Sequence, residues 1–274
     1  MSESGGFRPK AEALWRDIEL IRAEAPLVHN ITNYVVMNTT ANTLLSLGAS
    51  PVMAHAVEEV EEMVGLARAL VLNIGTLSAP WVEAMLRAGR EARRRGIPVV
   101  LDPVGSGATR LRTETAQRLL DEVGPTIVRG NASEIASLVT SDASTKGVDS
   151  TRSSEDTVEL ARSLAARRGC AVVASGPTDI VVGEGAVLRV FNGHAMMPRV
   201  TGMGCAATAL VGAVAAVNPS PLEAAAHGMA LTGIAGEMAA EQAEGPGSFQ
   251  VHFLDALHRI READVRRRLR MKRE

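Results

Sequence analysis

Four short apolar runs constrain this chain more than anything else in it. They are Ala-Leu-Val-Leu-Asn at 69–73, Ile-Pro-Val-Val-Leu at 97–101, Thr-Ile-Val at 126–128 and Cys-Ala-Val-Val-Ala at 170–174. Runs this short and this continuously apolar read as strands covered on both faces. Stretches of helical character lie between them. Residues 80–95 begin at Pro80 and stop at Gly96, 111–122 follow, and 155–168 stop at Gly169. Strands alternating with helices require right-handed crossovers and a parallel sheet with helices on both faces. Two more runs, 180–182 and 187–191, flank Gly183-Glu184-Gly185 and read as an antiparallel pair. The expected class is α/β, with a central, mostly parallel sheet.

The flanks fit the same plan. Residues 9–24 form an amphipathic pattern with Leu14, Ile18 and Ile21 on one side. Asn33 is placed to cap a helix over 34–47 that ends at Gly48. A short strand at 50–54 and a helix over 57–66 follow. From Gly202 onward the pattern is mostly helical, with a break at Gly245-Pro246-Gly247 before 249–260. Residues 140–153 are polar and aperiodic and read as a surface loop. Residues 1–9 read as a flexible N-terminus and the basic stretch 265–274 as a solvated tail. With no internal repeat and no linker, 1–274 is expected to be a single domain.

Composition removes several partners. A formal net charge of −2 offers no basic excess to neutralise nucleic-acid phosphates. Aromatic residues at 3% are too few for stacking platforms. Two cysteines, Cys170 and Cys205, point to a reducing compartment rather than a disulfide framework. No apolar signal segment occurs in 1–17, and the longest apolar run, 206–217, is too short to span a bilayer. A cytoplasmic enzyme with no membrane partner is the expectation.

Chemistry concentrates at the carboxyl ends of the strands, where parallel sheets bind ligands. Asn73, Asp102, Arg129 and Ser175 stand there. The segment Thr201-Gly202-Met203-Gly204-Cys205 opens an alanine-rich helix. Gly202 and Gly204 let an anion approach the free N–H groups of its first turn. Cys205 lies in that turn, where the dipole favours a thiolate, and it offers a base or nucleophile. Two plainer readings stand beside this one: a dinucleotide fingerprint, which lacks its preceding strand and its ribose acid, and a buried inert cysteine. Asp102 and Glu134 form a pair able to hold Mg²⁺ through waters. Otherwise Asp102 forms a turn before Pro103, and Glu134 is a favourable charge in a helix's first turn. A phosphate-binding Gly-Lys-Ser/Thr loop, a His/Cys metal cluster and a Gly-X-Ser-X-Gly elbow do not occur. His29, His55, His194 and His227 read as structural.

Five ordered segments, His29-Asn30-Ile31-Thr32-Asn33-Tyr34-Val35, Ser50-Pro51-Val52-Met53, Asp102-Pro103-Val104-Gly105, Arg129-Gly130-Asn131-Ala132-Ser133-Glu134-Ile135 and Thr201–Cys205, together resemble the hydroxyethylthiazole kinases of thiamine salvage. The resemblance implies a ribokinase-like fold and transfer of the γ-phosphoryl group of ATP to the primary alcohol of 4-methyl-5-(2-hydroxyethyl)thiazole. It implies that Met53, Gly202 and Asn33 contact the thiazole, and that Arg129 and Ser175 contact ATP. Asp102 and Glu134 would then serve Mg²⁺ and the phosphates, and Cys205 would stand where related sugar kinases carry an aspartate base. It further implies a homotrimer with active sites between subunits. Lys is frequent in this family where Arg129 stands, Thr where Ser175 stands, and Ala where Met203 stands. The competing readings are a pyrimidine or sugar kinase of the same fold, a cysteine-nucleophile enzyme and a non-catalytic nucleotide-binding regulator.

Overall fold

The computed structural model describes residues 11–140 and 154–274. In chain order its first half runs α1 (Ala11–Glu24), β1 (Leu27–Ile31), α2 (Met37–Leu47), β2 (Ser50–Val52), α3 (Val60–Leu66), β3 (Ala69–Asn73), α4 (Ala79–Arg95), β4 (Val99–Asp102) and α5 (Arg110–Glu122). The second half runs β5 (Ile127–Asn131), α6 (Ala132–Thr140), α7 (Ser154–Arg168), β6 (Ala171–Ser175), β7 (Asp179–Gly183), β8 (Ala186–Val190), α8 (Met203–Ala215), α9 (Pro221–Ala240), α10 (Pro246–Arg259), α11 (Glu262–Arg268) and β9 (Met271–Arg273). One sheet holds all nine strands in the order β2-β1-β3-β4-β5-β6-β7-β8-β9. Strands β1 to β6 are parallel, and β7, β8 and β9 follow, each antiparallel to the strand before it.

Alternate strand residues feed two cores. Val28, Val71, Val100, Ile127 and Val173 face the layer that contains α1, α2, α8, α9 and α10. Leu70, Leu72, Val99, Leu101, Val128 and Val172 face the layer built by α3 to α7. The period of two thus splits each apolar run between two helical layers, which is why the runs show no polar alternation. Helix boundaries follow local chemistry. For α4, Ser78 Oγ accepts a hydrogen bond from the Trp81 N–H, Pro80 sits in the first turn and Gly96 ends it.

The structure departs from the sequence reading in four places. Helix α2 starts at Met37, not 34, because Asn33 spends its side chain elsewhere. Its Oδ1 accepts from the Val35 N–H at 3.1 Å, closing a turn, and its amide reaches into the sheet. Helix α3 starts at Val60 because residues 57–59 form a turn. Strand β5 continues past the apolar run 126–128 through Asn131, so Arg129 lies inside the strand rather than at its end. The stretch 265–274 is not a solvated tail. It forms the end of α11 and the strand β9, with Val265 buried and Met271 paired to Val190. Its arginines are held by acids: Arg266 pairs with Glu262 and Glu12, Arg268 with Glu241, and Arg270 with Glu237. The expected flexible terminus 1–9 and most of the expected loop 140–153 lie outside the described residues.

Candidate active site

Strand β1 lies between β2 and β3, so the chain reverses direction across the sheet there. Helix α2 covers one face and α3 the other. Crevices for ligands open at such points, beyond the carboxyl ends of the strands. Asn33 follows β1, Asn73 ends β3 and Asp102 ends β4. Helix α8 packs on these three strands and brings its N-terminus to the same end.

A polar chain links them. Asn33 Nδ2 donates to Asn73 Oδ1 at 2.8 Å, and Asn73 Nδ2 donates to Asp102 Oδ2 at 2.8 Å. Thr208, one turn along α8 from Cys205, donates its hydroxyl to the same Asp102 oxygen at 2.8 Å. Cys205 Sγ receives the remaining amide donors, from Asn73 at 3.2 Å and Asn33 at 3.6 Å. Among the described residues no group donates to Asp102 Oδ1. Burial pushes the Asp102 carboxyl up to about 6, against the pull of Arg129, Thr208 and Asn73. It remains mostly ionised at neutral pH.

Cys205 behaves differently from the sequence expectation. The helix start is there, but burial and the Asp102 charge push the thiol up to about 11, outweighing the two amides and Arg129. The free site holds a neutral thiol. Its neighbours are amides and a carboxylate, with no imidazole among its hydrogen-bond partners, so the cysteine-nucleophile reading finds no base to activate it.

Gly202 caps α8 with φ +84°, a left-handed conformation, and a Cβ there would come within 2.8 Å of Val36 Cγ1. Both facts demand glycine. Gly204 serves a close approach: a Cβ would lie 2.9 Å from Arg129 Nη1, so the bare backbone lets the guanidinium rest on the helix start. Arg129 Nη2 donates to Ser175 Oγ at 3.0 Å, and Ser175 donates in turn to the Gly130 carbonyl at 3.3 Å. Burial pushes the Asp179 carboxyl up to about 6, against the Gly176 N–H and the Arg129 charge.

Glu134 is fixed from two sides. Its Oε1 accepts the Gly105 N–H at 2.8 Å and its Oε2 the Asn131 N–H at 2.7 Å. Asn131 Oδ1 accepts the Glu134 N–H at 2.8 Å, completing a reciprocal cap of α6. The carboxylate therefore ties the turn after β4 to the end of β5 while each oxygen keeps a further lone pair.

A cavity of about 940 Å³ opens on the β5–β6 side of this chain, lined by Arg129, Asn131, Ser175, Asp179, Gly202 and Gly204 together with residues 192–195, 197 and 198. Met53 does not line it. Met53 stands just past β2, on the Asn33 side, beside an aromatic group in which His55 stacks on Trp81 at 4.3 Å and Trp81 meets Tyr34 edge-on at 4.4 Å. The site residues thus divide into two groups, with Asp102 and Cys205 between them.

The chain is similar to known proteins over most of its length. A family model described as the hydroxyethylthiazole kinase family covers residues 18–263. The chain belongs to the hydroxyethylthiazole kinase family. Hydroxyethylthiazole kinase of Syntrophus aciditrophicus is 59% identical over 95% of this chain and 97% of its own. That of Nitratidesulfovibrio vulgaris (Miyazaki F) is 56% identical over 96% and 98%. Among solved structures, the hydroxyethylthiazole kinase of Pyrococcus horikoshii superposes with a TM-score of 0.90 at 42% identity, over 96% of this chain and 99% of that one. Pyridoxal kinase of Staphylococcus aureus, at 17% identity and a TM-score of 0.64 over 91% and 98%, shares the ribokinase-like fold.

Two members of the polar chain escaped assignment in the sequence. Asn73 was visible as a strand-end amide without a role. Thr208 left one trace, as the lone hydroxyl in the apolar run 206–217. His29 is buried with Nε2 2.7 Å from the Ala54 carbonyl, and His227 Nδ1 lies 2.6 Å from Asp17 Oδ2.

Proposed function

We propose that this chain transfers the γ-phosphoryl group of ATP to the primary alcohol of 4-methyl-5-(2-hydroxyethyl)thiazole. Family membership supports the reaction. The observation that carries the assignment of parts is the polar chain dividing a cavity beside Arg129 from the Met53 and Asn33 region. ATP takes the cavity, with Arg129 and Ser175 on its phosphates and the N–H groups of Gly202 to Cys205 facing the γ-phosphoryl group. Met53 and Asn33 hold the thiazole on the other side, and Gly202, which lines the cavity and packs against Val36, meets it at the boundary. The alcohol oxygen forms the new bond to phosphorus, the bond to the ADP oxygen breaks, and the alcohol proton passes to the thiolate form of Cys205, the minor form at neutral pH, which becomes the thiol. Phosphoryl transfer asks more of positioning and charge than of a base, so a thiol with a raised pKa suffices for a small assistance.

Among the described residues no group of three or more His, Cys, Asp or Glu could hold a metal. The donor chemistry fits Mg²⁺ all the same, since that ion takes one or two carboxylates and completes its shell with waters and phosphates. Asp102, with Oδ1 unclaimed, and Glu134 are the carboxylates that would hold it. Bound there, Mg²⁺ would neutralise charge on the phosphates.

A homotrimer with sites between subunits is part of the same reading. Tyr34 and Val35 next to Asn33 are 67% and 65% exposed, which leaves the thiazole side open to a partner's surface. The two free cysteines support a reducing compartment such as the cytoplasm.

The test is ADP release over a panel of alcohols, with and without Mg²⁺. Release that depends on the thiazole alcohol is expected. Equal release with hydroxymethylpyrimidine would favour the pyrimidine-kinase reading, and ATP binding without any release would favour a regulator.

A further inference from the structure

The basic stretch that pairs with the sheet edge also touches a loop that walls the cavity. Residues Asn192, Gly193, His194, Ala195, Met197 and Pro198 form one wall of it. That loop has no strand partner of its own, yet it is held on three sides. Beneath it lies α9, whose glycines allow contact at backbone distance. A Cβ on Gly233 would come 2.5 Å from the Asn192 carbonyl carbon, and one on Gly236 would come 2.7 Å from Met197 Sδ. At its start Asn192 is tied to the 268–270 segment. Asn192 Nδ2 donates to the Arg268 carbonyl at 2.7 Å, and its Oδ1 accepts the Arg270 N–H at 2.8 Å. The third hold is Glu237 on α9. Its Oε1 accepts from Asn192 Nδ2 at 2.9 Å, from the Gly193 N–H at 3.0 Å and from Arg270 Nη2 at 2.7 Å.

One largely buried carboxylate oxygen therefore gathers the loop, the helix and the edge segment at a single point. We infer that Glu237 is a positioning residue for ATP: with Arg270 and Asn192 it holds the 192–198 loop closed as a wall of the nucleotide cavity. Glu237 does not line the cavity, so it acts through the loop. The inference rests on ATP occupying this cavity. Charge-assisted hydrogen bonds of this kind are the strong ones, and their loss lets the loop leave its closed arrangement. Affinity falls in proportion to the closed fraction, so a loop closed about one tenth of the time weakens ATP about tenfold. The thiazole side and the polar chain at Asp102 share no contact with Glu237 and keep their geometry.

The experiment is steady-state kinetics with ATP and the thiazole alcohol varied separately, on Glu237→Ala, Glu237→Gln, Arg270→Ala and Arg129→Ala. Glu237→Ala is expected to raise the KM for ATP about tenfold, with kcat and the thiazole KM within about twofold of wild type. Glu237→Gln keeps an acceptor oxygen for Asn192 and Gly193 and should stay within about threefold in every parameter. Arg270→Ala removes an exposed partner and should raise the ATP KM about threefold; it decides the matter alone if Glu237→Ala does not fold. An unchanged ATP KM in the alanine variants overturns the inference, as does a thiazole KM that rises in step. If Arg129→Ala also leaves the ATP KM unchanged, ATP is not bound in this cavity and both readings fall. If Arg129→Ala alone raises it, only the role of Glu237 fails.

Discussion

Thr208→Val is the sharpest probe of the polar chain. The change keeps the side-chain shape inside α8 and removes one of the two donors to Asp102 Oδ2. A hydrogen bond to a charged acceptor contributes about 1.5 kcal/mol, which corresponds to about one pKa unit. The lost bond stabilised the carboxylate, so its removal moves Asp102 upward, from about 6 in the wild-type site to roughly 7. If the ionised carboxylate is the working form, the acid limb of kcat moves with it. At pH 7 the ionised fraction drops from about nine tenths to about half, so turnover falls about twofold and recovers by about pH 8.5. The assay is coupled ADP release from pH 5 to 9 at saturating substrates. Stability gives a second readout with its own sign. Because the folded pKa lies above the ordinary carboxylate value, ionising Asp102 opposes folding, and stability is lost as pH rises from about 4 to about 6. In Thr208→Val that loss extends to about pH 7, so the variant matches its parent least well near neutrality. A uniform drop in kcat with an unmoved acid limb would refute the reasoning.

Three further outcomes follow from the site. Cys205→Ala should lower kcat about 10²-fold, the low end for general-base assistance, and leave ATP binding nearly unchanged. Cys205→Asp should stay active, and an alkaline rise in kcat that vanishes in Cys205→Ala would report the raised thiol directly; identical pH profiles would remove Cys205 from proton transfer. Glu134→Gln should raise the Mg²⁺ concentration needed for half-maximal turnover and cost about 1–3 kcal/mol of stability, since an amide N–H₂ would face a backbone N–H. Urea melts combined with Mg²⁺ titration of turnover check both parts. Light scattering at micromolar concentration should show a homotrimer, and a fully active monomer would contradict shared sites.

Much of the fold was legible because this chain punctuates itself. Gly48, Gly96 and Gly169 stop helices where the periodicity ends, and the bounds of β3 and α4 fall within a residue of the sequence reading. What misled were residues whose side chains have two plausible uses. Asn33 has the chemistry of a cap, but its amide satisfies Asn73 and Cys205, groups that approach it only in the folded sheet. The basic stretch 265–274 counts as a tail by charge alone. Val265, Leu269 and Met271 give it an apolar side, and the acids that neutralise it come from distant helices. The thiol was misjudged in sign because a helix start is a local feature, whereas burial among Asn33, Asn73 and Asp102 is a property of the assembled site. Asp102, Ser175 and Glu134 stand at or just beyond strand ends, which are predictable from pattern, whereas Arg129 stands inside β5.

The contact between Asn33 and Cys205 spans 172 positions of sequence. Closing so long a loop is slow, and its entropy is offset only when β1, β3, β4 and α8 have all docked. The contacts that Cys205 and Thr208 make to the polar chain therefore require the docked helix α8 and are absent from any fragment that lacks it. A ligand that engages these contacts binds the native state and little else, so occupancy translates into a rise of the global melting temperature by mass action. Thermal shift on the intact protein thus reads site occupancy without any turnover, and it ranks candidate alcohols before a kinetic assay is built.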